Sequence, residues 1–216
     1  MFARSFIRAI SLPHKIESLR VLSARYETTV AKSASTPDLN PNILDLRCGI
    51  IRHVIRHENA EKLYVSQIQV GPQENDTIQV CSGLVGLVPI EKMQDLHVVV
   101  VNNLKPSKMR GVKSEAMLLC ADGPDRVIPI SPPTTSVPGT VLGFSNVPKV
   151  ELQDKRKIKS KAFETISNDL HVNALGQVTW RDGCILHAIE EDDIVNPDTH
   201  CMVKPFSPDL EGAQVR

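Results

Sequence analysis

From Leu44 onward the chain is cut into strand-length apolar runs separated by turn residues, and this spacing constrains the fold more than any other feature. The runs are Leu46 to Val54, Leu63 to Val70, Thr77 to Cys81, Leu96 to Val101 and Met117 to Ala121. Gly49 interrupts the first and predicts a bulge or coiling point there. Ser82 to Ile90 (SGLVGLVPI) mixes small and apolar residues, so the backbone must turn tightly while buried. Pro89 followed by Glu91-Lys92-Met93 predicts a brief helical turn. Pro129 and the run from Ser131-Pro132-Pro133 to Pro138-Gly139 read as an exit turn. Thr140 to Phe144 reads as a further short strand.

Five strands in this space, with a coiled first strand, predict a mainly β chain built on a five-stranded OB-fold barrel over residues 43–145. Residues 146–216 predict a small C-terminal α+β domain. Asp154 would cap a helix from Lys155 to Ile166, with Ile158, Ala162 and Ile166 on its buried stripe and Phe163 widening it. Lys157 with Lys161, and Lys155 with Lys159, would form exposed cationic pairs. Strands follow at Leu170–Val172, Gln177–Trp180 and Cys184–Ala188, and then an acidic loop, Glu190 to Asp193. A unit this small is expected to pack against the barrel rather than stand alone.

The N-terminal segment 1–36 reads as a mitochondrial targeting segment, and 37–42 as a linker held extended by Pro37 and Pro41. Phe2, Phe6, Ala9 and Ile10 share one helical face, Arg4, Arg8 and Lys15 lie on another, and no acid precedes Glu17. The expected location is therefore the mitochondrion, with the cytoplasm as the alternative. No run approaches the roughly 18 apolar residues of a spanning helix, so no membrane insertion is expected.

Chemistry concentrates in one place. Between the apolar runs at Val98–Val101 and Met117–Ala121 lies a loop carrying Lys105, Lys108, Arg110 and Lys113, punctuated by Pro106 and Gly111. The formal net charge of the chain is zero, so affinity for a polyanion must come from such a local patch. Phosphate contact is expected from these four cations. Asn102 and Asn103 either read base or ribose groups or hold the loop through their own hydrogen bonds. Ser82 is either a contact or a turn residue, and Ser114, which follows the basic residues directly, is a further expected contact. Glu115 could order Arg110 or accept from a base amino group. Aromatic residues are sparse, and Tyr64 is the sole one between Tyr26 and Phe144, so broad base stacking is not expected.

No catalytic or cofactor pattern competes with this loop. There is no GxSxG, Walker A or dinucleotide fingerprint. His53 and His57 are four apart but fall in a strand and a loop, which does not suit a metal. The five cysteines, an odd number without CxxC, read as reduced and structural. No enzyme activity, cofactor or metal is expected.

Three stretches together, Asn59-Ala60-Glu61-Lys62-Leu63-Tyr64, Ser82-Gly83-Leu84-Val85 and NNLKPSKMRGVKSEAMLLCA at 102–121, resemble the tRNA-binding domain family. That family includes the endothelial-monocyte-activating polypeptide type and the C-terminal region of the fungal aminoacyl-tRNA synthetase cofactor. The likeness is strong over 43–143 and weaker over 148–216. It implies a non-catalytic protein that recognises tRNA shape and backbone, with an aminoacyl-tRNA synthetase as a further partner. It also implies that the C-terminal domain imitates a dimer partner, leaving a monomer. The family motif falls on Asn103, Lys105, Lys108, Met109, Arg110, Ser114 and Met117, the methionines being expected to pack. No synthetase catalytic domain, docking domain or long lysine-rich arm accompanies the barrel here, so modest tRNA affinity is expected. The alternative is a protein-interaction module bridging translation components with little RNA binding of its own. A third possibility is binding to other structured or single-stranded nucleic acid.

Overall fold

A computed structural model describes residues 39–151, 155–181, 183–189, 197–205 and 208–216. The expected targeting segment 1–36, the expected helix cap Asp154 and the expected acidic loop Glu190–Asp193 lie outside the described residues. Residues 36–216 form one compact unit.

The unit is mainly β and antiparallel. Strands β1 (Leu46–Arg56), β2 (Tyr64–Gln69), β3 (Thr77–Ser82) and β4 (His97–Val101) follow the predicted runs closely. A helical turn, α1 (Ile90–Met93), precedes β4. The last predicted strand of the barrel is split into β7 (Met117–Leu118) and β8 (Cys120–Asp122). Two further strands, β5 (Ser107–Met109) and β6 (Val112–Ser114), lie within the basic loop. Beyond β8 come β9 (Val127–Ser131) and β10 (Val141–Phe144). After the helix α2 (Ser160–Ser167), the chain forms β11 (Leu170–Val172), β12 (Val178–Trp180), β13 (Cys184–Ala188), β14 (Met202–Val203) and β15 (Gln214–Val215).

Strand β1 pairs with β2 along one stretch, and with β4 and β10 along another. Its register shifts between Ile51 and His53, two residues beyond the point expected from Gly49. Gly49 itself answers to close packing. A Cβ there would sit 2.7 Å from Ile68 Cγ2 and 3.3 Å from Val100 Cγ2.

Two apolar cores lie on either side of the central strands. Val98 and Val100 face one, with Ile51, Ile68, Val80 and Leu118. Val99 and Val101 face the other, with Leu46, Leu119, Leu142, Phe163, Ile166 and Leu186. A strand covered on both faces has no reason to alternate, which is why β4 reads as four consecutive valines. Strands β7 and β8 are divided between the cores in the same way: Leu118 and Cys120 face one, Leu119 and Ala121 the other.

The strand pairing departs from the expected five-stranded closed barrel beside a separate small domain. Among the described residues thirteen strands form one connected sheet. β10 joins β1 to β13, β15 lies between β8 and β11, and β14 pairs with β9. Among the described residues no ladder pairs β3 with β7, the contact that would close a barrel. That gap is crossed by Glu115 N–H donating to Gln79 O at 2.8 Å and Cys81 N–H donating to Ser114 Oγ at 3.0 Å. The reason is that the second core needs a cover, and strands from 170–215 supply it by hydrogen-bonding to the same sheet. The expected exit turn at Pro129 is in fact strand β9, with Pro129 opposite Cys120.

The C-terminal helix is shorter than expected. It begins at Ser160 rather than Lys155, and Lys159 before it is extended at φ −79°, ψ 150°. Residues 155–158 are drawn out of the helix by backbone pairing to Asn103–Lys105: Ile158 N–H donates to Asn103 O at 2.8 Å, and Lys105 N–H donates to Ile158 O at 3.0 Å. Phe163 and Ile166 remain the buried stripe, and Ile158 still reaches the core from its extended segment.

Candidate nucleic-acid interface

The basic loop is a hairpin. Strands β5 and β6 pair in register, with Met109 opposite Val112 and Lys108 opposite Lys113. Arg110 and Gly111 form the two-residue connection, both at positive φ, 50° and 95°. That backbone is the one a tight antiparallel hairpin with the usual strand twist requires. Glycine adopts it freely, whereas for Arg110 it costs about 1 kcal/mol. The sequence signal was present: two short alternating segments, Ser-Lys-Met and Val-Lys-Ser, separated by two residues ending in Gly.

Lys108 and Lys113 are the unusual feature of this hairpin. Like charges directly opposite one another across a ladder, with Cβ atoms about 5 Å apart, destabilise it. Lys105, Lys108, Arg110 and Lys113 are all exposed. The hairpin therefore concentrates positive charge at some cost to its own pairing.

The three sequence stretches that carried the family resemblance meet beneath the hairpin. Asn59 N–H donates to His57 Nδ1 at 3.0 Å, so that nitrogen is unprotonated and Nε2–H donates to Met109 O at 3.2 Å. The buried His57 thus ties the hairpin tip to the 57–64 loop, a role that its spacing to His53 did not reveal. Tyr64 is buried, with its hydroxyl donating to Val88 O at 3.0 Å, so it offers no stacking face. Val85 N–H donates to Lys62 O at 3.4 Å, closing the Ser82–Val85 stretch onto the same loop.

The remaining candidate residues sit under the charged layer. Asn103 is 3% exposed and its amide is fully used. Its oxygen accepts from Asp45 N–H at 2.9 Å, and its nitrogen donates to Ile43 O at 2.9 Å and Arg156 O at 3.0 Å. Asn102 Nδ2 donates to the Asp45 carboxylate at 2.8 Å. Ser114 is buried; its hydroxyl accepts from Cys81 N–H and donates to Ala116 O at 3.0 Å. Ser82 is half-buried, and its Oγ has no hydrogen-bond partner among the described residues. It lines a groove of about 400 Å³ with Leu84, Leu104, Lys105, Met109 and Met117.

Glu115 pairs with Lys113 rather than with Arg110. Lys113 Nζ donates to Oε1 at 2.6 Å, and Gln79 N–H donates to Oε2 at 3.1 Å. The Lys113 bond first, and then the Gln79 bond, hold the Glu115 carboxyl below the usual carboxylate range, against the effect of burial. A depressed carboxylate stabilises the fold above its unfolded pKa of about 4.3, and the contribution is lost as pH falls through the lower folded value. The pair is therefore intact at neutral pH, where it offsets part of the hairpin's charge. Glu115→Gln keeps an acceptor for Gln79 and frees Lys113. The expected result is polyanion affinity about three-fold higher at neutral pH, read by filter binding with RNA.

The cysteines are free. Burial pushes the Cys48 thiol up to about 11 and, with the Asp122 charge, that of Cys120 up to about 12, and it also holds Cys201 well above the usual thiol range. These are protonated packing groups at neutral pH. Among the described residues no cluster of His, Cys, Asp or Glu is placed to hold a metal ion, and no helix is long and apolar enough to cross a membrane.

Comparison with known proteins agrees with this geometry. Residues 46–141 match the family described as "Putative tRNA binding domain". Aminoacyl tRNA synthase complex-interacting multifunctional protein 1 of Mus musculus is 42% identical over 158 residues, which is 72% of this chain and 49% of that protein. The tRNA-aminoacylation cofactor arc1 of Schizosaccharomyces pombe is 44% identical over 131 residues, 58% of this chain and 28% of that protein. The chain thus spans about half the length of the first relative and less of the second. Among solved structures, the C-terminal domain of Plasmodium vivax p43 superposes with a TM-score of 0.63 at 22% identity, covering 81% of this chain and 98% of that one, a likeness of fold. Residues 46–141 are a domain of the tRNA-binding domain family.

Proposed function

We propose that this chain is a non-catalytic tRNA-binding protein that recognises tRNA by shape and backbone and serves as a cofactor of an aminoacyl-tRNA synthetase. The observation that carries the reading is the hairpin, with Lys108 facing Lys113 across the ladder and Arg110 at the tip. Opposed like charge is relieved by a polyanion, and phosphate contacts need no aromatic platform. Lys105, Lys108, Arg110 and Lys113 make the phosphate contacts, while Asn103, Ser114 and Ser82 shape the loops that present them. The strands of 46–122 act as an OB-type barrel, and the strands of 170–215 take the place of a dimer partner, so the working form is a monomer. The cationic pattern of residues 1–36 supports a mitochondrial location.

Titration of the full chain with tRNA across a salt series tests this. Four phosphate contacts give a log–log salt slope of about −3 to −4. Competition by unstructured RNA and by duplex DNA should be weaker than by tRNA. Absence of salt-dependent tRNA binding, with a synthetase co-purifying in an RNase-insensitive manner, would replace this reading with a protein-bridging module.

A further inference from the structure

The chain carries a second basic run, Lys155-Arg156-Lys157-Ile158-Lys159-Ser160-Lys161, remote in sequence from the hairpin. The fold lays it against the hairpin's root. Ile158 bridges in parallel to Leu104, and the two backbone bonds already described fasten it on both sides. Asn103 Nδ2 holds Arg156 O, Lys157 Nζ donates to Asn102 O at 2.8 Å, and Lys155 Nζ donates to Leu44 O at 2.9 Å. This strap is thus tied to the segment from which Lys105 projects.

Alternation along extended backbone decides which groups face outward. Leu104 is buried and Ile158 packs against the core, so the inner face of the bridge is apolar. The next residues on each side, Lys105 and Lys159, take the outer face together. Arg156, Lys157, Lys159 and Lys161 are exposed. Lys105 and Ser160 border the same groove. The Glu115 carboxyl, held low chiefly by its bond from Lys113, also feels the charge of Lys157, so strap and hairpin act in one electrostatic field. A helix continuing through 155–159 would not have made these bonds. The early end of the helix is what brings the two basic runs together.

We propose that residues 156–161 continue the cationic face of the hairpin into one composite strip, and that this strip holds a second length of phosphate backbone on the same RNA. The inference rests on the tRNA-binding reading. It assigns a ligand contact to the C-terminal segment, which otherwise serves only to cover the sheet.

The test uses the full chain with Lys159→Gln and Lys161→Gln together, beside the hairpin variant with Lys105, Lys108 and Arg110 changed to Gln. The strap variant should bind tRNA about ten-fold more weakly, with its salt slope reduced by about 2. Lys159→Arg with Lys161→Arg should keep the original affinity, and urea midpoints should stay together because both side chains are exposed. Unchanged affinity and slope in the strap variant, with both lost in the hairpin variant, would overturn the strip and leave the hairpin reading in place. A chain that binds no tRNA before any substitution would overturn both.

Discussion

Changing Lys105, Lys108 and Arg110 together to glutamine should lower tRNA affinity about thirty-fold near physiological salt and flatten the salt slope by about 3. Each exposed cation is worth about a factor of three, because its contact with phosphate releases a condensed counterion. All three side chains point to solvent, and none takes part in an ion pair among the described residues. Unfolding free energy should therefore change by no more than about 0.5 kcal/mol. Removing Lys108 should even ease the ladder, since it faces Lys113 directly. A variant that keeps full affinity and slope would remove the hairpin from the interface.

Asn103→Ala should act through stability, with a loss of about 3 kcal/mol by urea unfolding. The side chain is buried and makes three hydrogen bonds to backbone groups of two separate segments, to Ile43 and Asp45 in one and Arg156 in the other. Truncation leaves those groups unpaired, and buried unpaired polar groups lose their full desolvation cost. The substitution also loosens the strap from the root of the hairpin, so tRNA affinity should fall with the midpoint. Asn103→Ala with undiminished stability and weakened binding would instead make Asn103 a direct contact.

Much of the sheet over residues 46–122 is legible because burial leaves a periodic trace. The five runs were placed within one or two residues, and Val98–Val101 announced a strand covered on both faces. The charge of the hairpin was legible as well, since nothing between apolar strands explains four cations in nine residues, 105–113, by packing. The hairpin's strands were harder to see. Three residues on each side give too short a period, and only Arg110-Gly111 marked the connection. Pro129 concealed β9, because proline lowers the expectation of a strand, yet its position opposite Cys120 is compatible with pairing.

The helix after Asp154 was misjudged for a different reason. Lys155 to Ser160 has good helical propensity and the right apolar spacing, and local energies favour the longer helix by a few tenths of a kcal/mol per residue. The competing bonds come from Asn102, Asn103 and Lys105, more than forty residues away, and no local pattern records them. Glu115 shows the same limit: the sequence points to Arg110 or a base amino group, and in the fold its partner is Lys113.

The candidate interface, a dense set of cations on a scaffold with Tyr64 as the one, buried aromatic over residues 46–122, is written in residue types and short spacings. Burial and charge are properties of single residues and their neighbours, so the chain alone could state them. Which groups face one another was settled by pairing across the sheet: Lys108 against Lys113, the fully bonded Asn103 amide, and the second basic run beside the first. Those relations depend on backbone hydrogen bonds between distant segments, and only a closed set of such bonds decides among the partners that the sequence leaves open.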